Sequence, residues 1–364
     1  MLEETLARLV AFPTVSDRPM DGIAAYVAER CEAAGMRVER FASTQPGKGN
    51  VVCSIGPAGT DGLVISGHLD VVPVEGQPWS SDPFVLTRRG NRLHGRGACD
   101  MKGFVAAVIE ALPRMHRLKR ELVLVWTYDE EVGCLGSRQA VEDLAGRPLP
   151  EACLIGEPTS FRILRMHPGH TSVRVTCTGR AAHSSKPELG ESAINKAGRV
   201  LARLEQLAED WRKDVRFAEL LERPYVVLNV GRIAGGVAIN VVPDLCVLDV
   251  GFRPLPGMSS EAIVGQIAER LEGLATVELG HITPAMFTPD GTELERLLRA
   301  YDKRPTGAAT FATDGGNLEK LGMKPLVFGP GSIDVAHQAD EYVPVDELYR
   351  CVDVVAELVG RRCG

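Results

Sequence analysis

A change in the order of helix and strand patterns near the middle of the chain constrains its fold most. In the first half, segments with helical periodicity, Gly22–Met36 and Lys102–Leu112, alternate with short apolar runs at Leu63–Ser66, Leu122–Tyr128 and Ala152–Ile155. This alternation predicts an α/β fold with a mostly parallel mixed sheet flanked by helices. In such folds, functional residues gather beyond the carboxyl ends of the strands.

From Ser172 the order becomes strand, helix, strand, strand, helix, strand, which is typical of a ferredoxin-like α+β unit. The predicted elements of this unit are Ser172–Cys177, Glu191–Glu209, Tyr225–Ile233, Leu245–Phe252, Ser260–Leu274 and Thr276–Leu279. The α/β pattern resumes at Asp290, and 364 residues are enough for two cores. We therefore predict one domain formed by residues 1–171 and 284–364, interrupted by an inserted domain at residues 172–283.

Composition narrows the class of partner. The chain has 45% hydrophobic and 24% charged residues, a net charge of -7 and only 5% aromatic residues, and neither sign of charge forms long runs. These values argue against binding to nucleic acid or to an anionic membrane surface. With no apolar run of membrane-spanning length and no leader pattern at the N-terminus, they predict a cytoplasmic protein that acts on a small molecule.

The cysteines give a second indication of the compartment. There are nine, an odd number, spread along the chain without a CxxC pair. This pattern predicts reduced, mostly buried cysteines instead of a disulfide framework. Cys99 lies beside a candidate metal ligand, but packing is the simpler interpretation of its position.

The first candidate site residues follow the apolar strand that begins at Leu63. His68 and Asp70 are two positions apart, so in extended backbone they share a side and Asp70 can orient the ring of His68. Alone, such a triplet is more often a packing feature than a site. Asp100 lies among glycines just before a predicted helix, where a simple N-cap is the alternative.

Further carboxylates and a second histidine follow other strands. Asp129, Glu130 and Glu131 end one apolar strand, Glu157 follows another, and His337 lies in a polar turn after a third. Three adjacent acids repel unless a cation is near, and one glutamate can bind a metal while its neighbour acts as a general base. Solvated acidic turns and a surface histidine are the alternatives for each segment alone. Two imidazoles and several carboxylates together favour a pair of divalent ions, zinc by default with cobalt as a substitute.

The order of these motifs resembles the acetylornithine deacetylase, succinyl-diaminopimelate desuccinylase and aminoacylase family of metallohydrolases over nearly the whole chain. The resemblance implies two zinc ions per subunit with Asp100 as the bridging ligand, and a cis peptide between Asp100 and Met101. It also implies a general base at Glu130, and Asp70 as the partner of His68. The remaining implied ligands are His68 and Glu157 for one zinc and Glu131 and His337 for the other.

The inserted region carries its own match to this family. His183, in the segment Gly179–Ser185, resembles a histidine that stabilises the oxyanion of the tetrahedral intermediate, usually across a dimer interface. The resemblance thus implies that the insertion is a dimerisation and lid domain and that the protein is a homodimer. Implied substrate-binding residues are Asn240, Arg253, Thr313 and His170. A turn before Pro243 and a surface charge are the alternatives for Asn240 and Arg253.

The resemblance implies a metal-dependent amidohydrolase that acts on an N-acyl amino acid. Segments His167–His170 and Gly329–Gln338 favour N2-acetyl-L-ornithine, cleaved to L-ornithine and acetate in arginine biosynthesis, whereas Asp314 departs from the family pattern. The alternatives within the family are cleavage of succinyl-diaminopimelate, acetylcitrulline or a dipeptide. A non-catalytic metal-binding scaffold is the alternative of a different class. The other histidines, His94, His116 and His281, match no ligand pattern, and Asp100 stands where a dinucleotide-binding fingerprint needs its third glycine.

Overall fold

A computed structural model describes residues 1–115 and 117–364. His116, to which the sequence assigned no ligand role, lies outside the described residues. The chain forms two compact units. Unit 1 comprises Met1–Met166, Met286–Gly307 and Thr313–Gly364, and unit 2 comprises His167–Ala285 and Ala308–Ala312.

Helices and strands are distributed over the whole described chain. The α-helices within it are α1 (Leu2–Val10), α2 (Asp21–Ala33), α3 (Lys102–Ala111), α4 (Leu135–Asp143), α5 (Ala193–Trp211), α6 (Ser260–Arg270), α7 (Glu293–Leu298), α8 (Gly315–Leu318) and α9 (Val345–Cys363). The strands are β1 (Arg37–Ala42), β2 (Gly49–Ile55), β3 (Leu63–His68), β4 (Thr87–Arg89), β5 (Arg92–His94), β6 (Leu122–Thr127), β7 (Ala152–Ile155), β8 (Met166–His167), β9 (His170–Thr178), β10 (Ala182–His183), β11 (Val227–Gly235), β12 (Val241–Val242), β13 (Leu245–Arg253), β14 (Thr276–Thr283), β15 (Met286–Phe287), β16 (Lys324–Val327) and β17 (Tyr342–Pro344). Among the described helices, none combines the length and the apolar character needed to cross a membrane.

A six-stranded sheet in the order β1-β2-β6-β3-β7-β16 forms the centre of unit 1. Neighbours from β6 to β16 are parallel, whereas β2 runs antiparallel to both β1 and β6. Every residue of β3, β6 and β7 is buried, as expected for strands covered on both faces. Helix α3 packs against α1 and α9. The predicted α/β class with a mostly parallel sheet is confirmed.

The strand register brings several chain ends to one edge of this sheet. His68, the last residue of β3, is level with Thr127 at the end of β6, and Ile155 at the end of β7 is level with Val327 at the end of β16. Because these strands are parallel, the loops that follow them all leave at the same edge. Those loops carry Asp70, Glu130, Glu131, Glu157 and, after β16, His337, whereas Asp100 lies between β5 and α3.

Unit 2 contains a four-stranded antiparallel sheet in the order β11-β13-β9-β14. Burial alternates along β9, so that Val173, Val175 and Cys177 pack in a core with residues of α5 and α6. The element order is the predicted βαββαβ. Strand β14 runs to Thr283, beyond the predicted end at Leu279, after an irregularity in its pairing with β9.

Candidate metal centre

The first group of possible metal ligands contains His68, Asp100 and Glu157. His68 ends β3, Glu157 follows β7, and Asp100 lies between β5 and α3. One ligand atom from each lies within 4.8 Å of the others. Nε2 of His68 is 2.9 Å from Oδ1 of Asp100 and 3.8 Å from Oε1 of Glu157. All three residues are buried.

Asp100 also belongs to a second group, with Glu131 and His337. Nε2 of His337 is 3.2 Å from Oδ2 of Asp100 and 3.1 Å from the Glu131 carboxylate. The two oxygens of Asp100 therefore face different imidazoles, an arrangement that suits a bridging carboxylate. The side chain of His337 is 49% exposed, whereas that of His68 is 1% exposed, so the centre opens towards solvent beside His337.

The imidazoles hold Asp100 ionised. Burial would raise the pKa of Asp100, but the hydrogen bonds from His337 and His68 outweigh it and keep the pKa below its ordinary range. Conversely, hydrogen bonds to Asp100 and Glu131 raise the pKa of His337 to about 10. The pKa of His68 is also raised, because its hydrogen bonds to Asp100 and Asp70 outweigh the effect of burial.

The other carboxylates of the centre resist ionisation. Burial and the nearby Asp100 charge raise the pKa of Glu131 to about 6 and that of Glu157 well above its ordinary value. Glu130 is also raised well above its ordinary pKa, by burial and by the charges of Glu131 and Asp314, against the opposing effect of His68. A divalent cation would relieve this repulsion.

Asp70 organises the segment that carries the general-base candidate. Nδ1 of His68 is 3.0 Å from the backbone carbonyl of Asp70 and 3.5 Å from its carboxylate, so the carbonyl is the nearer partner of the ring. The carboxylate accepts the backbone N–H groups of Glu130 and Glu131 at 3.1 and 3.2 Å and the hydroxyl of Ser16 at 2.9 Å. Asp70 thus fixes both His68 and the acidic loop.

A buried ion pair supports the backbone of Asp100 and, through one further side chain, the backbone of His337. Glu341 accepts the backbone N–H groups of Cys99 and Asp100 at 2.8 and 3.0 Å and pairs with Arg96 at 2.6 Å. Arg96 also donates to Gln77 at 2.6 Å, and the amide of Gln77 donates to the carbonyl of His337 at 2.8 Å. One chain of contacts therefore joins two ligands that are far apart in sequence.

A second buried ion pair supports the acidic loop. Lys48 donates to the Asp129 carboxylate and to the carbonyl of Ser16. Asp129 has a φ of 51°, a left-handed conformation that is uncommon for residues other than glycine. With its carboxylate held by Lys48, Asp129 turns the chain so that Glu130 and Glu131 follow at the end of β6.

Glu130 lies beside a cysteine and a further carboxylate. Sγ of Cys134 is 3.4 Å from Oε1 of Glu130, and a carboxylate oxygen of Asp314 lies within 4.8 Å of both. Asp314 is buried, which raises its pKa, and accepts a 2.6 Å hydrogen bond from Thr127. Thr313, predicted to bind substrate, is fully buried, and its hydroxyl accepts the N–H of Gly315 at 3.1 Å.

The other predicted substrate residues belong to unit 2. His183 is exposed, with Nδ1 2.7 Å from the Ser185 hydroxyl, and Asn240 is exposed, with its carbonyl accepting the N–H of Ser184. Arg253 ends β13 and lines a cavity of about 110 Å³. His170 begins β9, and its Nδ1 is 3.2 Å from Nε2 of His281.

Other sequence expectations are met by the structure. The peptide between Asp100 and Met101 is cis, as the resemblance implied. All nine cysteines are buried, and none of them forms a disulfide. His94 is buried, and its Nδ1 lies 2.8 Å from the backbone carbonyl of Asp340.

Sequence reasoning missed the residues that support the ligands. Arg96, Glu341 and Gln77 received no role, nor did the Lys48–Asp129 pair. A signal existed for Arg96, an arginine between two glycines close to a candidate ligand. A further signal was the four-residue spacing between Glu130 and Cys134, which a hydrogen-bonded turn before α4 brings together.

The ligand set fits metal ions. The distances from the two imidazoles to their carboxylates, 2.9 to 3.8 Å, bracket the separation of about 3.3 Å expected between two ligand atoms on one tetrahedral zinc. Nitrogen and oxygen donors without a thiolate suit a borderline divalent ion.

A mixed sheet that carries two such ligand groups at the carboxyl ends of its strands defines a metal-dependent hydrolase. The chain belongs to peptidase family M20/M25/M40, whose sequence model matches residues 64–361. It is 37% identical to an acetylornithine deacetylase of Myxococcus xanthus over 100% of this chain and 98% of that protein. A second acetylornithine deacetylase, from Vibrio atlanticus (strain LGP32), is 34% identical over 93% of this chain and 90% of that protein.

Solved structures share the fold. An M20 family metallo-carboxypeptidase from Sulfolobus solfataricus matches 98% of both chains with a TM-score of 0.83 and 17% identity. A dinuclear metal-binding peptidase of the M20 family from Bacillus subtilis matches 98% of this chain and 96% of that chain with a TM-score of 0.71 and 16% identity. The predicted family and enzyme class are confirmed.

Proposed function

We propose that this hydrolase cleaves N2-acetyl-L-ornithine to L-ornithine and acetate with two zinc ions, for which cobalt can substitute. The observation that carries the proposal is the position of Asp100 between two ligand groups, with the half-buried Glu130 next to one of the ligands. Similarity to two acetylornithine deacetylases over nearly the whole chain supports the choice of substrate. Cysteines that form no disulfide support action in a reducing compartment, the cytoplasm.

Five residues would hold the metals: His68 and Glu157 on one side, Glu131 and His337 on the other, and Asp100 between them. When bound, the ions polarise the scissile carbonyl and lower the pKa of the attacking water. Glu130 takes the proton of that water and then gives it to the departing amine nitrogen. The burial of Glu130 raises its pKa, and a raised pKa suits both roles, because the carboxyl must accept and release a proton near neutral pH.

His183 is proposed to donate a hydrogen bond to the oxyanion, from the partner subunit of a homodimer. The exposure of His183 supports this role, because it leaves the ring accessible to a second chain. Two features support dimerisation through unit 2. Strand β11 is an edge of the unit 2 sheet and has an exposed flank, and the side chains of Val237 and Ile239 are exposed.

Arg253 is proposed to bind the substrate α-carboxylate through charge-assisted hydrogen bonds. Its guanidinium is partly buried and lines a cavity with Tyr225 and Thr310, which supports a ligand-facing position. Asn240, His170 and Thr313 are proposed to supply neutral contacts, although the burial of Thr313 favours an indirect effect through its turn. For the distal ammonium, Asp334 is the better candidate, because it is exposed whereas Asp314 is buried next to Glu130.

A substrate panel tests the proposal. The zinc-reconstituted protein should cleave N2-acetylornithine with a higher kcat/KM than succinyl-diaminopimelate, acetylcitrulline, acetylated neutral amino acids or dipeptides. Preference for another member of the panel would reassign the substrate within the family. Zinc binding without turnover of any member would support the non-catalytic scaffold instead.

Hybrid dimers test the role of His183. Glu130→Gln and His183→Ala subunits should each be inactive alone, but a mixed dimer contains one site with an intact Glu130 and a partner His183. Mixing them should restore up to about a quarter of normal activity, if subunits exchange at random. A fully active monomer at assay concentration would contradict the homodimer proposal.

A further inference from the structure

Glu130, Cys134 and Asp314 form a third group of metal-ligand type in unit 1. One ligand atom from each lies within 4.8 Å of the others. None of these three residues belongs to the two ligand groups that share Asp100. The third group includes a thiol, which the other two lack, and this gives it a different metal preference.

The spacing of this group matches tetrahedral coordination. Sγ of Cys134 is 3.4 Å from Oε1 of Glu130. Zinc–sulfur and zinc–oxygen bonds of about 2.3 and 2.1 Å at a tetrahedral angle separate the two ligand atoms by about 3.6 Å. The backbone fixes this pair, because the N–H of Cys134 donates to the carbonyl of Glu130 at 2.9 Å.

Asp314 contributes an oxygen that lacks a donor. Oδ2 accepts the hydroxyl of Thr127, but Oδ1 is buried and has no hydrogen-bond partner among the described residues. The Ser137 hydroxyl lies close enough to lower the pKa of Asp314, but the hydrogen bond that it donates goes to the carbonyl of Cys134. Asp314 is only 2% exposed, and leaving a carboxylate oxygen without a partner at such a site is costly. A bound cation would satisfy it.

We propose that Glu130, Cys134 and Asp314 form a third cation site that binds a thiophilic divalent ion such as Zn²⁺ or Cd²⁺ and inhibits the enzyme when the ion is in excess. Binding converts the Cys134 thiol to a thiolate and releases its proton to solvent, so affinity falls as pH falls. The bound ion engages the carboxylate of Glu130, which then cannot accept a proton from water. The inhibition rests on the proposed role of Glu130 as general base, whereas the binding does not.

Cadmium titration of the enzyme preloaded with two equivalents of zinc tests the site. A thiolate ligand gives a sulfur-to-cadmium charge-transfer band in the ultraviolet, which ligands of the other two groups cannot produce. The band should appear in the parent protein and in Cys99→Ser, whose sulfur lies beside Asp100 but contacts the carbonyl of Ser332. It should be lost in Cys134→Ser. The cadmium concentration that halves each variant's own activity should be at least about tenfold higher for Cys134→Ser than for the parent protein.

Asp314→Asn provides a second test if Cys134→Ser does not fold. It keeps the thiol but weakens the site, so the band should need at least about tenfold more cadmium to saturate. Absence of the band in the parent, or its persistence in Cys134→Ser, would overturn the third site and leave only a hydrogen bond between Cys134 and Glu130. A band without inhibition would support the site and contradict the role of Glu130 as base.

Discussion

Histidines in the two units have opposite acid–base properties. In unit 1, the buried His68 and the exposed His337 both contact carboxylates, which raise the pKa of each ring, that of His337 to about 10. In unit 2, burial and the positive charge of Arg253 lower the pKa of His167 and of His170 to about 4. The neighbouring charges therefore decide the protonation state, and burial alone does not. Unit 1 concentrates negative charge for cations, whereas unit 2 keeps His167 and His170 neutral.

The largest effect should come from the carboxylate cluster. Glu130→Gln removes a proton carrier and no proposed ligand, so kcat should fall by about two to four orders of magnitude. Metal content, measured by elemental analysis after gel filtration, should stay near two ions per chain. Glu131→Gln is the matched control at the adjacent position and should lose metal as well as activity. A Glu130→Gln enzyme within tenfold of normal kcat would remove Glu130 as the base.

Loss of the Arg96–Glu341 ion pair should lower kcat less than Glu130→Gln does, but it should lower the free energy of unfolding more. Arg96→Met leaves Glu341 buried without its partner, so the free energy of unfolding should fall by about 3–5 kcal/mol. Metal affinity should weaken by about 10–100-fold, because Glu341 orients the backbone of Asp100. Arg114 pairs with Asp353 on the surface, so Arg114→Met should cost about 1 kcal/mol or less. Equal losses for the two variants in denaturant titrations would refute the supporting role.

The neutral histidines of unit 2 should make the protein sensitive to acid. His167 has a pKa of about 4, below the ordinary value of 6.5, so the unfolded chain binds its proton first as pH falls. Stability should therefore decrease from about pH 6.5 down to pH 4, by about 3 kcal/mol at most for this residue.

Denaturant titrations of His167→Gln across this pH range should show a shallower loss of stability than the parent protein. An unchanged slope in His167→Gln would show that His167 does not stay neutral in the folded protein.

The smallest effect should come from a residue of unit 2 that lies outside all proposed sites. Ser192 caps helix α5 by accepting the N–H of Asn195 at 3.2 Å. Ser192→Ala should lower the free energy of unfolding by about 1 kcal/mol without changing kcat or KM. Asn195→Ala keeps the cap and should cost less. A change in KM would connect this end of α5 to substrate binding.

The sequence predicted the strand-end ligands because their positions follow from a local rule: parallel strands end at one edge of a sheet. It also predicted the order of elements in unit 2, since apolar periodicity sets that order. Helix α9 was missed although Leu348, Val352, Val355 and Val359 have helical spacing.

Other features could not be read from local patterns. The pairing of Arg96 with Glu341 joins residues 245 positions apart, and many other acids in the chain are equally plausible partners for an arginine. The same holds for Lys48 and Asp129, which are 81 positions apart. Ion pairs depend on which segments the fold brings together, so only three-dimensional coordinates reveal them.

Because unit 1 is discontinuous, the order of synthesis affects when the enzyme can work. N-terminal parts of a chain fold first during translation, and His167–Ala285 leaves the ribosome before β16 and His337 exist. Until then β7 has an open edge, and the second ligand group lacks its imidazole. A nascent chain is therefore exposed to strand-mediated association on the ribosome, and it gains hydrolytic competence only when its last segments are complete.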